Sequence, residues 1–437
     1  MATLREELDD WLRIPSVSTA GGDAAALTRA CDWVCERIEA AGGSAEAVRV
    51  NGGHPMAIGE LRAARPDAPT VLSYGHYDVQ AAGPIELWDS PPFEPTERDG
   101  RLYARGAADD KGNFLPLLHV ACDLARAGAL PVNVRFLVEG EEEVGSRSVL
   151  ARLQTGEDDA DCAIVFDSTM VDESTPAITL GTRGLAQASV EVRTAERDLH
   201  SGLYGGAVLN AAHVLMAMLA EVAPDARGRV RPELSDGVAP VAPEERASWE
   251  RLPPGGRAMA EVGAVEVTTG AGDEYYSRTG AATAVDVNMI EVGEPRTIVP
   301  AVARGHVSVR LAPGQNAAQI GAELERLLRS AAAPGARVSI DVEVAAPALF
   351  DAADPALQLA AGAMERACGT PPALVRIGGT LPLLAVLAER GITSIVSGFA
   401  LPDDAFHAPN ESYRLESLRL GEATARELYA ALAELPR

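Results

Sequence analysis

The chain has 437 residues, with 38 basic against 63 acidic side chains, a formal net charge of −25 and 47% apolar residues. That length exceeds one hydrophobic core and predicts at least two domains, while the apolar fraction and an ordinary 23% of charged residues exclude wholesale disorder. The acid excess, with no dense run of Lys or Arg, excludes a polyanion such as nucleic acid as partner and argues against a membrane surface.

The first residues, MATLREELDDWLRIPS, read as an acidic amphipathic helix with Leu4, Leu8, Trp11 and Leu12 on one face, not as a signal peptide. No window approaches the roughly 18 uninterrupted apolar residues of a membrane span. Five scattered cysteines (Cys31, Cys35, Cys122, Cys162, Cys368) fit a reduced, cytoplasmic setting. Cys31 and Cys35 share a helix face with Leu27, Val34 and Ile38 and read as core, not as half a metal site.

A helix near 24–41 ending at Gly42-Gly43, the strand in TVLSYGHYDV, a helix after Lys111, and the strands in VNVRFLVEG and DCAIVFDS alternate along the first third. Alternation of this kind predicts a mostly parallel sheet covered by helices on both faces, so that its strands are short continuous apolar runs. From Gly184 the texture changes to LAQASVEVRT, a strand with polar alternation, followed by a helix from about Val208 to Val222. Residues 224–280 are rich in Pro, Gly and charge, yet Trp249, Leu252, Met259 and Tyr275-Tyr276 mark them as an elaboration of this second domain. The strands AVDVNMIEV and GHVSVRLA, a helix near 316–331 and the strand VSIDVEV complete it. Beyond Pro347 the buried pattern returns, with helices near 355–368 and 380–390 and the strand ITSIVSGF. The expected organisation is an α/β domain of residues 1–182 and 347–437, interrupted by an inserted α+β domain of residues 183–346.

Polar clusters follow four of the apolar strands: His76 and Asp78 after VLSYG, Glu139 to Glu143 after VRFLV, Asp167 after AIVF, and His407 after SIVSGF. The carboxyl ends of parallel strands are where sites assemble. A fifth cluster, Asp109-Asp110-Lys111-Gly112, opens the helix after Leu102-Tyr103. Any one of these residues alone reads as a helix cap or a solvated loop residue. Carboxylates and two histidines on one edge, with no cysteine, are together the donor set of a divalent-metal site. In His76-Tyr77-Asp78 the alternate residues face one side, so Asp78 can hold the second imidazole nitrogen of His76. In EGEEEVGS three consecutive glutamates cannot all face one way, so one carboxylate can bind metal while its neighbour moves a proton.

These segments resemble the M20 metallopeptidases, a family that includes carnosine-type dipeptidases, glutamate carboxypeptidases and succinyl-diaminopimelate desuccinylase. The resemblance rests on SYGHYDVQ, WDSPPFEP, LYARGAADDKGN, EGEEEVGS, DLHSGLYGG, RTIVPAVARGHVSVRL, RIGGTLP and FHAPNE, in that order over nearly the whole chain. It implies a di-metal exopeptidase-like catalytic domain whose inserted domain serves as lid and dimerisation domain. It implies that His76 and Asp167 bind one metal ion, that Glu143 and His407 bind a second, and that Asp109 bridges the two across a cis Asp109-Asp110 peptide. The ions would be two divalent cations per chain, zinc first, with manganese or cobalt also suited to these donors. Asp78 would orient His76. Glu142 would act as general base on a metal-bridging water, whose hydroxide attacks the amide carbonyl, and would then protonate the leaving amine.

By the same resemblance His200, in Asp198-Leu199-His200-Ser201-Gly202, reaches the active site of the partner subunit in a homodimer and contacts the oxyanion. Thr297, Arg310, Gly379 and Thr380 would bind substrate, Arg310 as a fork on a carboxylate. One position departs from the pattern: carnosine-type relatives carry a Glu that meets the free amino group of a dipeptide, and Ile377 stands there. The expected activity is hydrolysis of dipeptides or small peptides. Its rivals are an N-acyl-amino-acid deacylase and, from another class, a non-catalytic relative that binds a small ligand. The remaining histidines (His54, His119, His213, His306) lie outside every motif and read as structural or surface residues.

Overall fold

The structure is a computed structural model that describes residues 2–19 and 21–436. The chain separates into two compact units, one comprising Met1–Leu180, Phe350–Leu374 and Val386–Arg437, the other Gly181–Leu349 and Val375–Ala385.

In the first unit the sheet runs in the order Ser44–Val48, Met56–Leu61, Asn133–Glu139, Thr70–His76, Cys162–Phe166, Ser394–Ser397 and Ala177–Thr182. Its four central strands are mutually parallel, and antiparallel neighbours flank them on both sides. This is the expected α/β architecture with a mixed sheet, parallel through its four central strands. Val71, Leu72, Val134, Phe136, Val138, Ile164, Phe166, Ile395 and Val396 are all buried, because helices cover both sheet faces. In register, His76 pairs with Glu139, so the carboxyl ends of adjacent strands finish at one edge.

Local chemistry fixes the helices around this sheet. Thr3 and Glu6 form a reciprocal capping box at Leu4–Leu12, and Asp23 caps Ala24–Ala40, which ends before Gly42 at a φ of 85°. Trp11 stacks on Trp33 with ring centroids 5.0 Å apart and joins the two helices. The helix Lys111–Arg126 begins immediately after Asp109-Asp110. Asn113, in its first turn, donates to the Ala108 carbonyl (2.9 Å) and accepts from the Phe399 amide (2.8 Å) and the Tyr413 hydroxyl (3.1 Å). It thereby ties the 108–110 turn to the segment beyond Ser394–Ser397.

The second unit holds a four-stranded antiparallel sheet in the order Ala284–Val292, Val302–Leu311, Gly184–Arg193 and Arg337–Ala345. Ala186, Ala188, Val190 and Val192 alternate into a core with Leu215, Met218 and Leu219 of the helix Ala211–Val222 and with Ile320, Leu324 and Leu328 of Ala317–Ser330. The first of these helices starts three residues later than its apolar pattern suggests, because the Asn210 side chain accepts from the Ala212 amide and caps it there. Residues 224–280 form short helices, Pro243–Trp249 and Gly255–Glu261, pinned by a buried bidentate pair between Glu245 and Arg376 at 2.6 and 2.8 Å.

Candidate metal centre

Two overlapping groups of potential ligand atoms lie at the carboxyl edge of the first unit's sheet: His76, Asp109 and Asp167, and Asp109, Glu143 and His407, each with its atoms within 4.8 Å of one another. His76 is the last residue of its strand, Asp167 directly follows Cys162–Phe166, and Glu142 and Glu143 occupy a 3-10 turn after Asn133–Glu139. Asp109 presents one oxygen to each histidine, Oδ1 at 3.1 Å from His76 Nε2 and Oδ2 at 2.9 Å from His407 Nε2. Asp167 Oδ1 is 4.0 Å from His76 Nε2, and Glu143 Oε2 is 3.4 Å from His407 Nε2. The Asp109-Asp110 peptide is cis.

His76 Nδ1 lies 3.0 Å from the Asp78 carbonyl, which can only accept, so this nitrogen carries a proton, and Nε2 points toward Asp109 and Asp167, where burial is outweighed by the bonds to Asp109 and Asp78, which hold the imidazole well above its usual pKa. A lone pair facing two carboxylates is repulsive unless a cation or a proton lies between them, and that is the fit expected of a metal ligand. Asp78 meets His76 chiefly through this carbonyl, its carboxylate being 3.4 Å away. The carboxylate instead accepts from Ser18 Oγ (2.6 Å) and from the Glu142 and Glu143 amides (3.3 and 3.2 Å), and so holds the turn that carries both glutamates. Gln80 donates to Glu143 at 2.8 Å.

The electrostatics match a cation site. Burial, reinforced by Glu142 and Asp109, pushes the Asp167 carboxyl up to about 8, and burial with the nearby Asp109 pushes Glu143 up to about 7. Glu142 also rises, chiefly by burial. His407 is raised to about 9, first by its bond to Asp109. Four acidic groups balanced by two imidazoles leave negative charge that a dication would neutralise.

The other candidates lie in the second unit. The two-residue strand Leu199–His200 pairs with Ile298–Val299 beside Thr297, whose carbonyl accepts from the Ser201 amide (3.0 Å) and hydroxyl (2.9 Å). His200 is exposed, and its Nδ1 accepts from the Gly202 amide at 3.0 Å. Arg310 donates to Thr380 Oγ1 at 3.3 Å, Thr380 donates to the Arg183 carbonyl at 2.8 Å, and Gly379 faces open space. Of the histidines outside the motifs, His119 bonds Glu7 at 2.7 Å and His306 bonds Asn288 at 3.2 Å.

Sequence reasoning missed two buried residues of this centre, Arg105 and Glu411. Both stand inside the segments LYARGAADDKGN and FHAPNE, whose order was the only available signal.

Two imidazoles and a set of carboxylates at the strand ends of an α/β unit define a metal-dependent hydrolase. The chain belongs to peptidase family M20/M25/M40, whose model matches residues 72–431. It is 29% identical to human Beta-Ala-His dipeptidase over 372 residues, covering 82% of this chain and 73% of that protein. It is 30% identical to the cysteinylglycine-S-conjugate dipeptidase of Corynebacterium striatum over 369 residues, covering 82% and 80% respectively. Among solved structures, an M20 family metallo-carboxypeptidase from Sulfolobus solfataricus superposes with a TM-score of 0.85 over 99% of this chain and 100% of that one. At 24% identity this is a likeness of fold.

Proposed function

We propose that the chain is a dinuclear metal hydrolase that cleaves the amide bond of dipeptides or other small peptides. The observation that carries this reading is Asp109, which offers one carboxylate oxygen to each of two histidines, each flanked by a further acid. His76 and Asp167 would hold one cation, Glu143 and His407 the second, and Asp109 would serve both, with zinc the first choice and manganese or cobalt suited to the same donors. Bound there, the cations supply Lewis acidity, lowering the pKa of a water toward neutrality and polarising the scissile carbonyl.

Glu142 takes the proton of the attacking water and returns it to the leaving amine. Its carboxylate suits that task because, among the described residues, no hydrogen bond or ion pair engages it, and burial shifts it toward the protonated form. Asp78 keeps Glu142 and its neighbour in place through their amides. In the second unit, the acceptor role of His200 Nδ1 leaves the proton on Nε2, a donor for the developing oxyanion. Arg310, with Thr297, Gly379 and Thr380, receives the substrate carboxylate. The inserted unit is read as lid and dimerisation domain, with His200 serving the partner's site. Exposed Val287, Met289 and Ile290 on the edge strand Ala284–Val292, and Met216 on Ala211–Val222, support a homodimer. Five free cysteines, three of them buried, support a reducing, cytoplasmic setting.

A second reading, N-acyl-amino-acid deacylase, is favoured by Ile377, which leaves the Arg376–Thr380 turn without a carboxylate to meet a free amino group. Turnover of a panel of dipeptides and their N-acetylated counterparts, with zinc, manganese or cobalt added, separates the two. The free dipeptides are expected to be cleaved. Cleavage of the blocked compounds alone would transfer the assignment to the deacylase.

A further inference from the structure

The Arg105 guanidinium and the Glu411 carboxylate are 1% and 0% exposed and meet at 2.7 Å. A buried ion pair contributes little net stability over an apolar pair of similar volume, so its retention calls for another reason. Each partner reaches a different part of the centre. Glu411 Oε2 also accepts from the Gly106 amide (3.0 Å), while Oε1 accepts from the amides of Ala108 (2.9 Å) and Asp109 (3.1 Å). One carboxylate thus gathers three of the four backbone donors from Gly106 to Asp109, the Ala107 amide bonding the Ala104 carbonyl instead, and fixes the turn that aims Asp109. Arg105 Nη2 donates to the carbonyls of Ala81 and Ala408, both at 3.2 Å, and its guanidinium lies 5.6 Å from the centre of the Trp88 ring. The pair therefore joins three segments: the loop after His76-Asp78, the turn before Asp109, and the loop that carries His407.

That last loop needs holding. Ala405, His407 and Asn410 adopt φ values of 59°, 58° and 63°, the left-handed region that non-glycine residues avoid at a cost of order 1 kcal/mol each. Outside its own span it is tethered by Arg101 at Asp404 (2.6 Å) and Asp403 (3.1 Å) before Ala405, by Arg105 at Ala408, and by Asn410, which donates to the Leu87 carbonyl and accepts from the Asp89 amide, both at 2.9 Å; of these, Arg105 alone also joins the turn before Asp109 through its partner Glu411. His76 closes the parallel ladder with Asn133–Glu139, and Asp167 directly follows the buried strand Cys162–Phe166, so the ends of two strands place them.

We propose that the Arg105–Glu411 pair is the positioning device of the second half-site: it holds the His407 loop so that Glu143 and His407 can take a cation, while the His76–Asp167 half-site, which shares only the bridging Asp109 with it, keeps its two strand-end ligands without the pair. The proposal rests on the two-cation reading above. It makes cation binding sequential, with the strand-borne half filling first and the loop-borne half depending on the buried pair.

The test uses full-length protein stripped of metal, then dialysed against buffered free Zn2+ at graded concentrations, with zinc per chain measured at each. Wild-type protein is expected to fill in two steps, and a plateau at one zinc would overturn both this proposal and the two-cation reading. In Glu411→Gln the second step should weaken about 10–100-fold while the first stays within about threefold, the scale of losses seen when the support of a ligand is removed. Turnover should return as zinc is raised. Because the single variant leaves Arg105 unpaired in the interior, Arg105→Met combined with Glu411→Gln removes both charges and is expected to show the same selective loss. Two wild-type steps in a folded variant overturn the proposal, as does equal weakening of both. Failure of both variants to fold would make the pair a requirement of the scaffold and overturn it too.

Discussion

His76 and His407 face the same carboxylate from opposite sides, yet they are built in different ways. His76 ends a strand, is fully buried, and has Nδ1 fixed by the Asp78 carbonyl at 3.0 Å. His407 sits on a loop, its side chain 54% exposed and its backbone in the left-handed region. The companion acids repeat the contrast. Asp167 follows a buried strand, whereas Glu143 lies on a short 3-10 turn that Asp78 and Gln80 hold by hydrogen bonds. One half of the centre is thus a by-product of the sheet, and the other is assembled from loops that need their own supports. Preorganisation comes free with a packed strand and must be added residue by residue elsewhere.

The largest effect expected at this centre belongs to Glu142, which is adjacent in sequence to the proposed loop-borne ligand Glu143 and is itself proposed as the general base. Glu142→Ala should lower turnover of a dipeptide by about 10³-fold, the usual range for removal of a general base, with zinc content unchanged. Parallel loss of zinc and turnover would show that Glu142 belongs to the ligand set and would blur the contrast between the halves.

The histidines test the contrast directly. His76→Ala removes the ligand of the half proposed to fill first and should abolish tight binding of both zinc ions. His407→Ala should leave one zinc per chain bound near its wild-type affinity and weaken the second by at least about 100-fold, more than loss of a supporting residue costs. Equal stoichiometry in the two variants would break the comparison. Mixing inactive His200→Ala with inactive Glu142→Ala protein examines the remaining histidine, since mixed dimers should recover activity if His200 serves the partner's site. No recovery after confirmed subunit exchange would count against that role.

The same contrast explains how much of the molecule was legible in its sequence. The runs VLSYG, VRFLV and AIVF announce buried parallel strands, and polar residues at their ends mark His76, Asp78, Glu142, Glu143 and Asp167 by position alone. His407 lies ten residues beyond the last residue of Ser394–Ser397, so its place after SIVSGF marks it only loosely, and the FHAPNE resemblance is what gives it a ligand's role. Arg105 and Glu411 were illegible for a stronger reason. Each is a charged residue, the type most often found at the surface, and its partner is 306 residues away. The strand Ser44–Val48 also escaped notice, since its residues are exposed or half-buried and show no apolar run. The Val208 start of the second unit's helix failed because Val208 and Leu209 extend the apolar pattern past the Asn210 cap and are themselves exposed.

The smallest expected effect lies behind the sheet and serves to separate scaffold from site. His119, on Lys111–Arg126, is buried against Glu7 of Leu4–Leu12. Burial alone would lower its pKa, but the bond to Glu7 at 2.7 Å and the nearby Asp123 and Glu422 outweigh burial and raise it above 6.5. A group whose pKa is raised by folding stabilises the folded state fully below its unfolded value, and that contribution is lost as pH rises through the folded value. In chelator-treated protein, His119→Gln should therefore unfold at lower temperature than wild type at pH 6, by about 1 kcal/mol or a few degrees, with the gap closing as pH rises above the folded value. Zinc content should be the same in both proteins. A gap independent of pH would mean that His119 contributes packing and not charge. A change in zinc content would mean that the helix following Asp109-Asp110 transmits its position to the bridging carboxylate, in which case the strand-borne half-site too would depend on a support outside the sheet.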